Sequence, residues 1–478
     1  MKNRFYNIIF NAIYQVFSII VPIITIPYVS RILGAESLGI NTYTQSLIIL
    51  LGIIISSGIL QIGPREVSGE SNERRTSVFV TLWTIQVILG LISALFYYLL
   101  IRNSDYKQFY LLQLPFLFSY IFDISWFFIG LEKLKTVVFR NTCVKLVTLI
   151  LILIMVKERS DLSTYIMINS FGMLIGNLSF FPNIFSNIDM RNLKIDMFIL
   201  KRYINRLSIL MVPQLMIQLY QYTSKFVLEH YSSTIDLSYF DQSQKMARII
   251  IQIITSISIV LMPVIAKLDK SKSVETLEKI VKLSVGYSLS FAVLFTAILI
   301  AISPQFVPIF FGEEFSPMIP QMIISSFIIV PICLGGVFSN QFILGKGLYK
   351  DYAIPYIISG ILGVLLPLVF RNTFNSIVAG FTLLFIESTI CILRIWLSRR
   401  HINIKIILSN MYKEFIILFM LILLNYLFDI SIHLSVNIYS VILKSFVILI
   451  GYIILSVVLK TETLIDFKQK IQLYVRLR

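Results

Sequence analysis

Charge is scarce in this chain. Asp, Glu, Lys and Arg make up 14% of its 478 residues, against about 25% in a typical soluble protein. A deficit of that size, over this length, excludes an ordinary water-soluble fold. Cysteine and histidine are scarcer still, with three of each. Cys143, Cys333 and Cys391 stand far apart inside apolar stretches, with no C-x-x-C pair and no disulfide framework. His230, His401 and His433 sit alone in loops or at helix ends, so no metal site is expected and no cofactor is implied. Long hydrophilic loops are missing too. The longest, about residues 183–206, is too short to fold as a soluble domain. The first apolar run, to about Val29, lacks an A-x-A cleavage site and is too long for a signal-peptide core. It reads as a retained transmembrane helix.

What the chain has in quantity is hydrocarbon. Apolar residues make up 57% of it and the mean hydropathy is +0.84. A helix needs roughly 20 apolar residues to cross a ~30 Å hydrocarbon core. Fourteen stretches qualify: 6–29, 39–62, 77–101, 108–130, 136–156, 162–182, 207–229, 238–265, 280–302, 318–344, 352–371, 374–397, 412–431 and 437–459. The expected fold is therefore all-α and polytopic, with 14 transmembrane helices. The Lys and Arg between them alternate sides. One set of loops holds only Arg31, Arg102, Lys107, Lys157, Arg159 and Arg371, while the other set, with both chain ends, holds 29. Loops rich in Lys and Arg stay in the cytoplasm, so a cell-membrane protein with cytoplasmic N- and C-termini is expected. The net charge of +16 is met by this topology and by anionic headgroups. With no basic face interleaved with aromatics, nucleic-acid binding is rejected.

The basic segment 189–206 follows the sixth stretch and divides the chain. It separates an N-terminal lobe, 1–188, from a C-terminal lobe, 207–400, with an extra helix pair and tail over 401–478. The halves echo each other weakly. Pro22, Tyr28 and Arg31 in the first are matched by Pro213, Tyr222 and Lys225 in the second, and Asn41, Tyr43 and Gln45 by Tyr239, Asp241 and Gln242. Both halves start on the same side, so the repeat is parallel, an arrangement in which transporters put substrate between the halves.

Six cations are left over by that alternation: Lys145, Lys225, Lys245, Arg248, Arg394 and Lys444. A charge at mid-bilayer costs about 2.5–3.5 kcal/mol or more, so each needs a reason. Gln214, Gln218, Gln221 and Lys225 are spaced four, three and four, which sets them on one helical face. Asp241, Lys245, Arg248 and Gln252 repeat the pattern, and Asn7, Asn11, Tyr14, Ser18, Pro22 and Thr25 form a third stripe. Scattered single amides are ordinary interhelical glue, whereas stripes bearing charge point to a hydrated lumen. Lys245 and Asp241, one turn apart, can simply pair, and Lys145 and Asp123 can neutralise each other. Lys444 and Arg394 can snorkel. Glu387 has no sequence neighbour to pair with and is the better protonatable candidate. A lumen with Lys225, Arg248 and Lys145 is cationic and amide-rich, which suits an anionic, hydroxyl-rich ligand.

Four stretches then resemble a known family. They are IPYVSRILGAESLGINTYTQS (Ile26–Ser46) with GPREVSGE (Gly63–Glu70), ISWFFIGLEKLKTVVFRN (Ile124–Asn141), Val212–Pro263 with its VPQLMIQLYQYTSKFVLEHY opening, and LGKGLYKDY (Leu344–Tyr352). Together they resemble the Wzx-type polysaccharide flippases of the multidrug/oligosaccharidyl-lipid/polysaccharide (MOP) superfamily. The resemblance implies a MATE-like fold, with two pseudo-repeated six-helix lobes and a C-terminal pair. It implies a non-enzymatic flippase that carries undecaprenyl-diphosphate-linked oligosaccharide repeat units to the outer leaflet by alternating access, for capsule or O-antigen-like assembly. A polymerase and glycosyltransferases would be pathway partners. Two positions depart from the family pattern: Ser224 stands where an Asp often precedes the lysine, and Val264 where an Arg often follows the proline.

On this reading Lys225, with Arg31 and Arg248, engages the diphosphate. Gln214, Gln218, Gln221, Asn41, Tyr28 and Tyr222 contact sugar, Lys145 adds positive charge, and Glu387 and Asp123 are the ion-coupling candidates. The competing readings are a teichoic-acid precursor flippase, a small-molecule multidrug antiporter of the same superfamily, and a membrane glycosyltransferase or polymerase. The antiporter would favour an acidic lumen. The enzyme would need a large outer loop, and every outer loop here is short.

Overall fold

In the computed structural model the described residues are 2–189, 197–268, 274–432, 434–464 and 466. The tail beyond 466, residues 190–196 of the basic segment, and the side chains of Asn7, Asn11 and Tyr14 lie outside them. Among the described residues every regular element is helical. The chain forms two compact units, Met1–Glu229 and His230–Arg478.

The first unit contains α1 (Lys2–Val67), α2 (Asn72–Ile101), a broken run α3 (Lys107–Leu112), α4 (Leu114–Ile121) and α5 (Ser125–Gly130), then α6 (Leu134–Met155), α7 (Leu162–Leu178), α8 (Phe181–Ile184) and most of α9 (Met197–Tyr231). Gly34 interrupts α1 with φ 76°, ψ 177°, a conformation that only glycine adopts without strain. One core cluster centres on Trp126, Phe127 and Phe128, stacked with Phe79 and Phe180. A second, around Ile48, Tyr97, Tyr110 and Leu117, packs partly buried Tyr43, Tyr106 and Tyr222 at its edge.

The second unit contains α10 (Thr234–Leu268), α11 (Val274–Phe311), α12 (Ile319–Phe327), α13 (Ile329–Gly336), α14 (Tyr349–Val369), α15 (Ser376–Ser398), α16 (Ile404–Leu408), α17 (Tyr412–Ser431) and α18 (Ile438–Leu459). Residues Val337–Ile343 after α13 are π-helical, which widens the turn that leads out of the stretch expected at 318–344. Asparagine side chains cap three helices: Asn375 accepts the Val378 N–H at 2.9 Å, Asn403 the Ile406 N–H at 3.4 Å and Asn437 the Ser440 N–H at 2.8 Å.

Eleven helical segments among the described residues are long and apolar enough to cross a membrane. Their outward faces are hydrocarbon: Leu91, Ile92, Leu95 and Phe96 on α2, and Ile442, Phe446, Ile453 and Val458 on α18, are all at least half exposed. Helices apolar on the outside as well as within are membrane spans, and the chain is a multi-pass membrane protein. One of the eleven, Ile20–Val67, is 48 residues long and contains the Gly34 break. That is length enough for two crossings of roughly 20 residues each. The stretches expected at 207–229 and 238–265 lie in α9 and α10 and are not among the eleven.

Candidate functional site

The polar face of α9 is clearest toward its C-terminal end. Gln218, Tyr222, Lys225 and Glu229 are spaced four, three and four, so they share one side of the helix, with Gln214 and Gln221 flanking it. At one end of this face the Glu229 carboxylate lies close to the hydroxyls of Tyr43 on α1 and Tyr106 just before α3. Tyr43 packs edge-on against Tyr106 and Tyr110, at ring-centroid distances of 5.9 and 6.1 Å. Tyr97 adds a hydrogen bond to the Tyr110 carbonyl at 2.8 Å. Burial pushes the Tyr106 phenol above its ordinary range, and the nearby Glu229, Asp105 and Glu36 carboxylates add to the shift. Lys225 is half-buried, one turn from Glu229.

Beside the tyrosines, Gln113 donates to Thr44 at 2.6 Å and to the Asn41 side chain at 3.5 Å. The first unit therefore gathers Lys225, Tyr222 and Asn41 around a belt of phenols and amides, with Gln214, Gln218 and Gln221 continuing along α9. Phenols, amides and one ammonium are the groups that bind hydroxyls and phosphate. Tyr106, Tyr110, Gln113 and Glu229 were not singled out in the sequence, because their partners lie tens of residues away.

The other expected residues of this unit are engaged elsewhere in it. The Tyr28 hydroxyl donates to the Val156 carbonyl at 2.7 Å, closing the end of α6, and Lys157 lies over its ring at 5.9 Å. Lys145 donates to Ser18 at 2.9 Å, joining α6 to α1. The Asp123 carboxylate accepts the Ser125 N–H at 3.0 Å in the turn between α4 and α5. Arg31 is exposed beside the Gly34 break.

Arg140 belongs to the same group, although its place in the sequence suggests a loop. It sits inside α6, half-buried, and donates to the Gly176 carbonyl at 2.6 Å and to the Asn177 side chain. Asn177 in turn donates to the Ser119 carbonyl at 2.7 Å, tying α6, α7 and α4 together. Alongside runs an apolar groove of about 640 Å³ between α6 and α7, lined by Phe139, Val147, Leu151, Phe171 and Ile175. Such a groove suits a hydrocarbon chain rather than a sugar.

In the second unit Arg248 is exposed on α10, and Lys245 pairs with Asp241 at 2.8 Å as the one-turn spacing suggests. Glu387 is buried on α15, on the same face as Cys391 and Arg394. Neither lysine 444 nor arginine 394 snorkels. Lys444 is buried, bonded to Asp429 at 2.6 Å and to the Ala301 carbonyl at 3.1 Å. Arg394 is buried with its guanidinium over the Tyr356 ring at 4.8 Å, donating to the Tyr356 hydroxyl. A neutral hub forms around Ser325, which accepts from Gln244 at 2.9 Å and Gln321 at 3.2 Å. No group of His, Cys, Asp or Glu among the described residues could hold a metal ion.

The fold and these sequences have known counterparts. A protein of Shigella dysenteriae, provisionally named an O-antigen transporter, is 24% identical over 368 residues, covering 70% of this chain and 88% of its own. The lipid II flippase MurJ in an inward closed conformation superposes with a TM-score of 0.72 at 14% identity, covering 94% of this chain and 98% of its own. An inward-facing MATE-family multidrug transporter of the MOP superfamily gives 0.66 at 16% identity, over 83% of this chain and 96% of its own. The chain thus has the MurJ/MATE-like helical fold. The family model for polysaccharide biosynthesis proteins matches residues 5–269, more than half of the sequence, and the chain belongs to that family.

Proposed function

We propose that this protein is a flippase for polyprenyl-diphosphate-linked oligosaccharides, working by alternating access and without catalysing a covalent step. The observation that carries the reading is the face of α9. Lys225 stands in α9 on the side that also presents Gln218, Tyr222 and a Glu229 close to the Tyr43 and Tyr106 phenols. An ammonium among amides and phenols suits a diphosphate joined to sugar. The family assignment and the O-antigen transporter relative support the same substrate class. Gln214, Gln218, Gln221 and Asn41 would contact sugar, Arg31 and Arg248 would add charge, and the prenyl chain would stay in hydrocarbon, for which the α6–α7 groove offers a surface.

In this reading the chain crosses the cell membrane fourteen times, with both termini cytoplasmic. The stretches before and after 189–206 act as two lobes, and the C-terminal pair is an addition. Capsule or O-antigen-like repeat units are the expected cargo.

The test replaces Lys225 by Ala and by Arg, and compares surface polymer at equal membrane levels of protein. Loss of one charge-assisted phosphate contact should lower export in Lys225→Ala by roughly tenfold or more, and Lys225→Arg should retain much of it. Undiminished polymer in Lys225→Ala would remove the lysine from the mechanism.

A further inference from the structure

At the end of α15 four basic residues fall within a short stretch: Arg399, Arg400, His401 and Lys405. Arg399, His401 and Lys405 rim an open cavity of about 840 Å³ whose apolar floor includes Ile392, Ile395 and Trp396. The floor continues a stripe along α15. Phe381, Phe385, Ile392 and Trp396, spaced four, seven and four, share one face and are 57%, 56%, 65% and 43% exposed. A hydrocarbon chain lying along this stripe would end with its head at the cations.

Among the described residues the cations at that mouth outnumber the carboxylates beside them. The Arg399 and Arg400 guanidinium groups lie over the Trp396 ring, at 4.5 and 5.5 Å. Glu278, which also lines the cavity, is engaged by the Asn403 N–H at 2.7 Å, and Asp351 faces His401 at 3.8 Å. Among the described residues no carboxylate pairs with Arg399, Arg400 or Lys405. A free inorganic anion would have no use for the apolar floor, and a neutral lipid none for the cations.

We propose that this pocket binds an anionic phospholipid. An acyl chain would lie on the Phe381–Trp396 stripe, and the phosphate would be taken by Arg399 and Lys405. Tryptophan at the boundary between hydrocarbon and headgroups suits that depth, and guanidinium suits the phosphate. Glu278 of α11 holds the N-terminal cap of α16, so a lipid here would brace the corner where α15, α11 and α16 meet.

The test uses the intrinsic fluorescence of the full chain in phosphatidylcholine vesicles. A minority of brominated-acyl lipid is added, either as phosphatidylglycerol or as phosphatidylcholine. The chain has three tryptophans, and the Trp396→Phe variant supplies the share of Trp83 and Trp126, which lie in the other unit. The difference signal should be quenched at a several-fold lower mole fraction of the phosphatidylglycerol. Removing a surface cation should weaken that preference roughly fivefold each in Arg399→Gln and Lys405→Gln, while Arg399→Lys keeps it. Equal quenching by the two lipids in the unsubstituted chain overturns the proposal without reference to any variant. So does a preference that survives both substitutions together.

Discussion

Lys444 presents the plainest energetic problem in the molecule, an ammonium that is 1% exposed in a helix with no other charge. It is held by Asp429 near the end of α17 and by the Ala301 carbonyl of α11, so a single side chain fastens three helices. A buried charge is tolerated only with its partner, and removing one member of a fully buried pair costs about 3–5 kcal/mol. Asp429 is 37% exposed and water still reaches it, so Asp429→Asn should cost less, about 2 kcal/mol. Replacing both residues together, Lys444→Met with Asp429→Leu, should come out near the unsubstituted protein. Thermal unfolding of the purified protein in detergent reads both. An Asp429→Asn protein as stable as the original would mean that the pair carries no net energy. Sequence alone marked Lys444 and Arg394 as out of place but offered them a route to water. Their real partners, Asp429 and Tyr356, lie on other helices, and no local spacing announces such a contact. The same is true of Glu229, whose two neighbouring phenols come from residues 43 and 106. By contrast, the Asp241–Lys245 pair lies within one turn and was readable directly.

Helices meet in this protein where glycine permits it, and Gly130 is the sharpest instance. A Cβ there would lie 2.8 Å from the Pro64 carbonyl oxygen and 2.8 Å from the Val67 Cβ, so α5 would be pushed off α1. The oxygen is backbone and cannot turn aside. Gly→Ala within a helix ordinarily gains about 0.5–1 kcal/mol. At Gly130 the overlap should reverse the sign and cost about 1–3 kcal/mol. Gly286 of α11 is the control. Its added Cβ would meet the Thr463 methyl at 3.2 Å and the end of Met411 at 3.8 Å, both side-chain atoms that can yield. Thermal unfolding of Gly130→Ala and Gly286→Ala should therefore separate, the first lowered and the second nearly unchanged. Equal shifts would sink the close-approach argument. Most helices were legible in the sequence because twenty apolar residues in a row leave little else to form. What hydropathy could not reveal was the internal breaks. The stretch expected at 108–130 is three short helices, and that at 318–344 is two helices and a π-turn. Those breaks depend on Pro115, on the Asp123–Ser125 turn and on packing, none of which changes the average apolarity.

For the whole molecule the proposed count of fourteen crossings turns on α1. Eleven helical segments among the described residues satisfy length and apolarity, and a chain with an odd number of crossings leaves its ends on opposite sides. If Ile20–Val67 crosses twice, bending at Gly34, and α9 and α10 each cross once despite their charges, the number becomes even and the ends come together. The alternation of Lys and Arg requires this second version. It predicts that the turn after α1, at Ser68, faces the cytoplasm, while Asn103 after α2 and Ser435 before α18 face outward. All three are exposed. Single cysteines introduced there, treated with a membrane-impermeant maleimide, distinguish the two. The native thiols interfere little, since Cys333 and Cys391 are buried and only the half-buried Cys143 needs replacing by Ala. In intact cells Asn103→Cys and Ser435→Cys should label, and Ser68→Cys should label only once the membrane is opened. Labelling of Ser68→Cys in intact cells would make α1 a single crossing. It would then reverse the side assigned to every later loop, and with it the direction in which Lys225 presents its charge.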